Sequence, residues 1–180
     1  MRLELVCHPE NPGRAVTGVS VAFERKAGHI WLRYMVDVPE DAVDLPGRAN
    51  AERTDGLWHS TCFEAFARPE DGQAYTEYNF SPSLQWAAYA FDEYRSEMRA
   101  RTLRKVPEVW LEGASSWFAI EVEAELQDAD ADRAIDLGLS AIIEEKDGTK
   151  SYWALRHPPG APDFHHPDCF ALTLEAPPPP

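Results

Sequence analysis

Residues 29–38 read HIWLRYMVDV, and residues 116–126 read SWFAIEVEAEL. Successive side chains of a β-strand point to opposite faces, so strict alternation of apolar and other residues predicts a strand with one buried face. The predicted buried faces comprise Ile30, Leu32, Tyr34 and Val36 in the first stretch and Phe118, Ile120, Val122 and Ala124 in the second. These two half-buried strands indicate a protein built largely from β-sheet.

Further runs of aromatic and β-branched residues, bounded by Gly, Pro, Asp and Ser, predict additional strands. They cover residues 61–67, 75–80, 84–91, 137–145, 151–155 and 169–174, with weaker candidates at 19–23 and 109–111. This pattern favours an all-β antiparallel β-sandwich of immunoglobulin-like or jelly-roll-like architecture, with about nine to eleven strands. The runs 61–67, 75–80 and 84–91 are expected to pair in sequence order, because short turns favour adjacent strands. Phe63 and Ala65 should then face the core.

Helices are expected to be few and short. Residues 91–102 (FDEYRSEMRART) could form one or two helical turns, and residues 128–136 (DADADRAID) a short surface helix or a charged loop. Neither segment carries a strong apolar stripe. Residues 39–55 are polar and contain two prolines, which predicts a long loop.

The length of 180 residues fits one domain, which we place at residues 1–176. Residues 177–180 are all proline and cannot join a sheet, so we expect a disordered tail. No apolar run reaches the roughly 18 residues of a membrane-spanning helix, and the first residues do not resemble a secretory signal. Three scattered cysteines without a CxxC pair fit a reducing cytoplasm.

A formal net charge of −14 limits the partners that this chain can attract. Such a surface repels phosphate backbones and anionic lipid, so neither nucleic acid nor a membrane is an expected partner. The dinucleotide-binding GxGxxG pattern, the P-loop, the GxSxG elbow and the HExxH zinc motif are all absent from the sequence. We therefore predict a protein that is not an enzyme, with no cofactor and no catalytic residue.

Two neighbouring predicted strands carry polar groups suited to ligand binding. Residues 55–66 (DGLWHSTCFEAF) place Trp58 before a strand that contains Glu64, and residues 75–82 (YTEYNFSP) place Glu77 and Asn79 on one face. Trp86 follows on the next strand and could share that surface. Carboxylates and amides beside flat rings suit a sugar, because the oxygens accept hydrogen bonds from hydroxyls while a ring covers the apolar C–H face. Alternatively, each glutamate pairs with an arginine such as Arg53 or Arg95, and the tryptophans belong to the core.

The stretch 151–170 (SYWALRHPPGAPDFHHPDCF) concentrates Trp153, Phe164 and His165 with His157, His166, Asp163 and Asp168. Three interpretations stay open from these residues alone. A metal could bind one of the adjacent histidines, since neighbours in an extended chain point to opposite sides. A haem could be held by one of them with Met98. The third interpretation is a loop held by histidine hydrogen bonds to the backbone.

Glu64 and Glu77 could also form the acid pair of a glycoside hydrolase. Such pairs lie about 5 Å apart in retaining enzymes and about 6.5–9.5 Å apart in inverting ones. Neighbouring strands can reach either spacing. Two acids on facing strands are also common in proteins without this activity.

Three strings, DGLWHSTCFEAF, YTEYNFSPSLQWAAYAFDEYR and SYWALRHPPGAPDFHHPDCFALTL, resemble DOMON-like proteins related to family 9 carbohydrate-binding modules. The resemblance spans roughly residues 57–174. It rests on a Trp followed six residues later by a Glu, on the tyrosine-rich E-x-N strand, and on the aromatic and histidine-rich segment near the end. Its order along the chain is that of the family.

This resemblance implies a β-sandwich whose relatives bind sugars, or haem in some branches, without doing chemistry themselves. By this resemblance Trp58 and Phe164 would be the two rings that clamp the sugar, and Glu64 and Arg95 would bind its hydroxyls. The second clamp is usually Trp, and this chain has Phe164 there, followed by two histidines. Some similar domains are joined to cell-wall precursor enzymes, which implies such an enzyme as a partner.

The predicted function is a non-catalytic domain that binds a small carbohydrate or related polyol. The alternatives are a haem- or metal-binding redox module of the same fold, a hydrolase that uses Glu64 and Glu77, and a purely structural or interaction protein. The predicted ligand-binding residues are Trp58, Glu64, Glu77, Asn79, Trp86, Arg95, Trp153, Phe164 and His165.

Overall fold

The computed structural model describes residues 2–26, 28–126 and 132–177. Two antiparallel sheets face each other. The first sheet consists of β1 (Arg2–Glu4), β3 (Gly18–Lys26), β4 (His29–Asp37), β9 (Glu108–Ala114) and β10 (Trp117–Glu125). Its strand order is β1-β3-β4-β10-β9.

The second sheet consists of β2 (Val6–Cys7), β5 (Cys62–Pro69), β6 (Tyr75–Phe80), β7 (Trp86–Phe91), β8 (Arg99–Ala100), β11 (Ile135–Glu144), β12 (Lys150–Ala154) and β13 (Leu172–Leu174). Its strand order is β2-β12-β11-β5-β6-β7-β8, and β13 pairs with β11.

This architecture confirms the predicted antiparallel β-sandwich. Strands β4 and β10 pair along their full length, with Ile120 opposite Tyr34. The predicted alternation of buried and outward-facing residues in these two strands is confirmed. Leu32, Tyr34, Ile120 and Val122 are fully buried in the core between the sheets. Intervening residues such as Arg33 and Glu121 lie on the outer face and pair with each other there.

The second sheet differs from the first because both of its faces are covered. Every residue of β6 and β7 is buried. The inner face, with Phe63 and Ala65 as predicted, joins the core between the sheets. The outer face forms a second apolar cluster, which is covered by the segments around residues 57–58 and 164–170. Strands buried on both faces appear as continuous apolar runs, which explains the weak alternation of 84–91.

The predicted neighbours β5, β6 and β7 do pair in sequence order. The described residues contain more strands than expected because short edge pieces add to the count. Residues 169–174 form a strand only at 172–174, since Pro167–Cys169 makes a 3₁₀ turn. The loop at 39–55 is confirmed, apart from isolated bridges at Val43 and Arg53.

The predicted helical turns at 91–102 are wrong. This segment ends β7, forms a tight turn and enters β8. Arg95 and Glu97 both have a φ of 53°, which lies in the left-handed region and is incompatible with an α-helix. Of the predicted helix at 128–136, residues 128–131 lie outside the described residues, and Ile135 already begins β11. Over the described ranges no helix is long and apolar enough to cross a membrane.

One side-chain hydrogen bond ties the two sheets together beside the candidate site. The hydroxyl of Tyr34, on β4, donates to the backbone carbonyl of Glu64, on β5, at 2.7 Å. Tyr34 is completely buried. The bond therefore links the first sheet to the strand that carries Glu64.

We expect Tyr34→Phe to lower the free energy of unfolding by about 1 kcal/mol, since the change removes one buried hydrogen bond and little volume. Urea denaturation followed by tryptophan fluorescence would measure this loss. A variant as stable as the parent protein would show that the inter-sheet bond contributes nothing.

Candidate functional site

A cavity of about 330 Å³ opens on the outer face of the second sheet. It therefore lies outside the sandwich core and beneath the segments that cover this face. Its lining combines carboxyl groups, aromatic rings and one guanidinium. The lining residues are Trp58, Glu64, Glu77, Phe91, Arg95, Met98, Ile142, Tyr152, Pro162, Phe164 and His165.

Two buried carboxyl groups form the floor of the cavity. Glu64 is 3% exposed and Glu77 is 5% exposed. Glu64 of β5 is paired with Asn79 of β6, and Glu77 lies two residues before Asn79 on β6. Paired residues and residues two apart share a face, so both acids project from the same side of the sheet. Asn79 Nδ2 donates to Glu77 Oε1 at 2.6 Å, and Ser140 Oγ, on β11, donates to Glu64 Oε2 at 3.1 Å.

This burial changes the acidity of both groups. Removal from water disfavours the ionised form and raises the pKa of Glu64 and of Glu77 above the ordinary value of 4.5. Repulsion from the Glu77 carboxylate raises the pKa of Glu64 further. Hydrogen bonds from Ser140 and Asn79 and the positive charge of Arg95 offset only part of this effect. The pair therefore holds a proton more tightly than exposed glutamates do.

The walls of the cavity are aromatic. Trp58 lies on a 3₁₀ turn, Leu57–His59, which follows Gly56 with a φ of 79°. Its ring meets Tyr89 edge-on at 5.7 Å between centroids. Phe164 comes from the segment between β12 and β13, and its ring lies 6.2 Å from that of Tyr152. Rings from distant parts of the chain thus line one cavity.

An ion pair connects the rim of the cavity to its covering segment. Arg95, in the turn between β7 and β8, approaches Asp163 Oδ1 through Nη2 at 2.7 Å and through Nε at 3.2 Å. The Tyr94 hydroxyl donates to Asp163 Oδ2 at 2.5 Å. These donors, together with the Arg95 charge, hold the pKa of Asp163 below its ordinary value although burial acts in the opposite direction. Asp163 is consequently an ionised anchor for Arg95.

His165 lies between the acids and the rim. Its Nδ1 is 2.8 Å from the Tyr75 hydroxyl, which accepts a hydrogen bond from the Arg95 backbone N–H. The Tyr75 hydroxyl is able to donate to Nδ1, which places the imidazole proton on Nε2 in that tautomer. Nε2 lies 3.7 Å from Glu77 Oε2. Burial and the nearby Arg95 charge lower the pKa of His165 to about 4, so the ring is neutral at neutral pH.

The structure brings six of the nine predicted site residues into the cavity and places three elsewhere. The six are Trp58, Glu64, Glu77, Arg95, Phe164 and His165. Asn79 is fully buried behind the floor, where it supports Glu77. Trp86 and Trp153 belong to the core between the sheets.

The pairing register explains the positions of these two tryptophans. Asn79 pairs with Ala87, so Trp86 points to the opposite face of the sheet from Asn79. Trp153 pairs with Ala141, which is a core residue, and therefore also points inward. The prediction that Trp86 shares a surface with Glu64 and Asn79 was wrong. The residue on that surface is the next one, Ala87, because neighbouring residues of a strand point to opposite faces.

Five residues that line the cavity are not among the predicted site residues. They are Phe91, Met98, Ile142, Tyr152 and Pro162. Two of them had a usable signal: Tyr152 is the immediate neighbour of Trp153 and takes the opposite face, and Phe91 lies at an even spacing from Ala87. Met98 and Pro162 lie outside the strands, where alternation carries no information.

The metal and haem interpretations have different outcomes. Among the residues that the structure describes, no group of three or more His, Cys, Asp or Glu is arranged to hold a metal ion. Met98 and His165 both line the cavity, whereas His166 does not. His166 instead contacts Asp168, whose backbone N–H it accepts at Nδ1.

Comparison with known proteins finds similarity in structure and none in sequence searches. No protein-family model matches the sequence, and no curated protein matches it either. The structure is similar to a candidate carbohydrate-binding protein from Bacteroides uniformis, with a TM-score of 0.66 and 18% identity over 97% of this chain and 85% of that one.

It is also similar to a family 9 carbohydrate-binding module from Caldicellulosiruptor kristjanssonii, in two structures. The complex with glucose gives a TM-score of 0.51 at 6% identity, over 79% of this chain and 69% of that one. The complex with cellotriose gives 0.54 at 6% identity, over 87% and 74%. The fold predicted from the sequence resemblance is therefore confirmed as similar to that of family 9 modules.

The buried acids predict a specific pH dependence of stability. Because the folded protein binds protons on Glu64 and Glu77 more tightly than the unfolded chain does, the stabilisation is present below the ordinary glutamate pKa of 4.5. It is lost as pH rises through the raised pKa range. Glu64→Gln removes one titrating group and keeps a hydrogen-bond acceptor. We expect this variant to gain stability relative to the parent protein between about pH 5 and about pH 8.

Urea denaturation of both proteins at the two pH values would measure the difference. Glu24→Gln, an exposed glutamate on the first sheet, is the control and should follow the parent protein. A constant difference between Glu64→Gln and the parent protein across this range would contradict the raised pKa.

Proposed function

We propose that this protein is a non-catalytic binding domain for a small carbohydrate, held in the cavity on the outer face of the second sheet. One observation carries the proposal. The rings of Trp58 and Phe164, from segments more than 100 positions apart in the chain, line the same cavity above the buried acids Glu64 and Glu77. This combination of apolar faces and convergent polar groups is what a sugar requires.

Each group in the cavity has a defined role in sugar binding. The aromatic rings cover the C–H faces of the sugar, while the oxygens of Glu64 and Glu77 accept hydrogen bonds from its hydroxyls. Arg95 and His165 Nε2–H supply donors at the rim. Because Asp163 and Tyr75 hold these two side chains in place, little conformational entropy is lost on binding.

The size of the cavity favours a small ligand. A volume of about 330 Å³ is at the low end of the roughly 300–1,000 Å³ found for small-molecule sites. The similar family 9 module was solved in complex with glucose and with cellotriose. We infer that the cavity takes one or two sugar rings, at a chain end or as a free sugar.

A glycoside hydrolase is the second candidate, because both acids of the predicted pair lie on the floor of the same cavity. Incubation with chromogenic glycosides distinguishes the two functions: release of the dye that is lost in Glu64→Gln would favour hydrolysis. A preparation with a Soret band lost on substitution of His165 or Met98 would favour the haem alternative. The cytoplasmic location and a cell-wall precursor enzyme as partner stay predictions from the sequence.

We expect Trp58→Ala and Phe164→Leu each to weaken sugar binding about tenfold or more, since each removes one stacking ring. A glycan array would identify the sugar, and calorimetric titration would measure the affinities. Leu at position 164 preserves apolar packing, so a loss of affinity reports on the flat ring.

Trp110→Ala is the matched control, because Trp110 is exposed on β9 of the first sheet, away from the cavity. It should bind as the parent protein does. The proposal fails if no sugar binds at millimolar concentration, or if Trp58→Ala retains the affinity of the parent protein.

A further inference from the structure

The lining of the cavity has two acids on its floor, Glu64 and Glu77, and one cation at its rim, Arg95, which is paired with Asp163. Glu64 Oε2 and Glu77 Oε1 accept hydrogen bonds from the neutral side chains of Ser140 and Asn79. Their other oxygens, Glu64 Oε1 and Glu77 Oε2, accept no hydrogen bond from any residue that the structure describes, although both residues are at least nine-tenths buried. Buried carboxyls are normally paired with a cation or strongly hydrogen-bonded.

Among the described residues, no charged neighbour donates a hydrogen bond to these oxygens. The Arg95 charge acts on both acids through space and favours their ionised forms, but its guanidinium is paired with Asp163. His165 is neutral and only approaches Glu77, at 3.7 Å. The other titratable groups that act on the acids are uncharged because burial raises the pKa of each; they are Tyr34, Cys62, Tyr75 and Tyr89. A positive charge on the ligand would therefore complete the floor of the cavity.

The walls are also suited to a cation. Four aromatic rings line the cavity, from Trp58, Phe91, Tyr152 and Phe164. The face of an aromatic ring attracts a cation through its quadrupole, and rings around a carboxylate form a common environment for ammonium groups. Neutral hydroxyls gain no comparable advantage from this arrangement.

We propose that the carbohydrate bound here is an amino sugar, whose protonated amine contacts the Glu64 and Glu77 carboxyls between the aromatic walls. This inference rests on the proposed function and adds the chemical class of the ligand. The ammonium donates to the free carboxyl oxygens, while the hydroxyls and the C–H face use Arg95, His165 and the rings.

A proton is exchanged when such a ligand binds. The buried acids hold a proton in the empty site, and a nearby positive charge favours their ionised form. Binding of an ammonium group therefore releases a proton from the pair to the solvent. Binding of a neutral sugar leaves the acids as they were.

The test compares glucose, glucosamine and N-acetylglucosamine by calorimetric titration at about pH 6, where an amine of pKa near 8 is protonated. These probes share one ring and differ in the group at a single carbon. We expect glucosamine to bind about tenfold or more tightly than either neutral sugar, because charge-assisted hydrogen bonds are the stronger ones. Titrations in two buffers of different ionisation enthalpy should show proton release for glucosamine and none for glucose.

Glu64→Gln and Glu77→Gln should each reduce the preference for glucosamine over glucose to within about threefold, and the control Glu24→Gln should retain it. Should a variant not fold, proton release by the parent protein decides. If glucosamine binds no more tightly than glucose, or if its binding releases no more protons, the amino-sugar inference is overturned. The proposed function is then left intact. Failure of these three sugars and of every sugar on the glycan array to bind overturns both.

Discussion

The burial of Glu64 and Glu77 on a sheet face is the constraint on which the site depends. Two carboxyls side by side in an apolar cluster are unfavourable unless they are hydrogen-bonded, protonated or paired with a charge. The fold meets part of this requirement from adjacent strands, through Ser140 and Asn79. The unmet part leaves carboxyl oxygens facing the cavity, and these give the cavity its chemical character.

The segment of residues 163–170 covers the outer face of the second sheet and leaves a cavity there instead of a second closed core. It approaches the sheet closely at Gly138, where a side-chain Cβ would lie 3.2 Å from the Cys169 carbonyl oxygen. Further along, the Asp163–Arg95 ion pair and the Tyr75–His165 hydrogen bond hold the segment beside the cavity. Polar contacts therefore anchor the cover where apolar packing is incomplete, and a space for a ligand is left between them.

Period-two alternation predicted the strands of the two-sheet fold, and short turns predicted the order of β5, β6 and β7. A common surface for Glu64 and Glu77 was expected only if their strands are neighbours, and β5 and β6 do pair. Alternation could not predict which face Trp86 and Trp153 occupy, because that depends on the register across each turn, and a shift of one residue reverses it. The turn after β7 was also not predicted, because apolar periodicity carries no information on the left-handed conformations of Arg95 and Glu97. Arg95 and Phe164 were placed by family resemblance and not by periodicity.

The two faces of the second sheet therefore carry different roles within one set of strands. Along β12, Trp153 enters the core and donates from Nε1 to Ser151, while its neighbour Tyr152 lines the cavity. Along β5, Phe63 packs between the sheets while Glu64 faces the cavity. Since adjacent residues never share a face, the binding surface can change in sequence without repacking the core. The same separation allows a sandwich fold to be retained while the residues and the charge of its cavity differ.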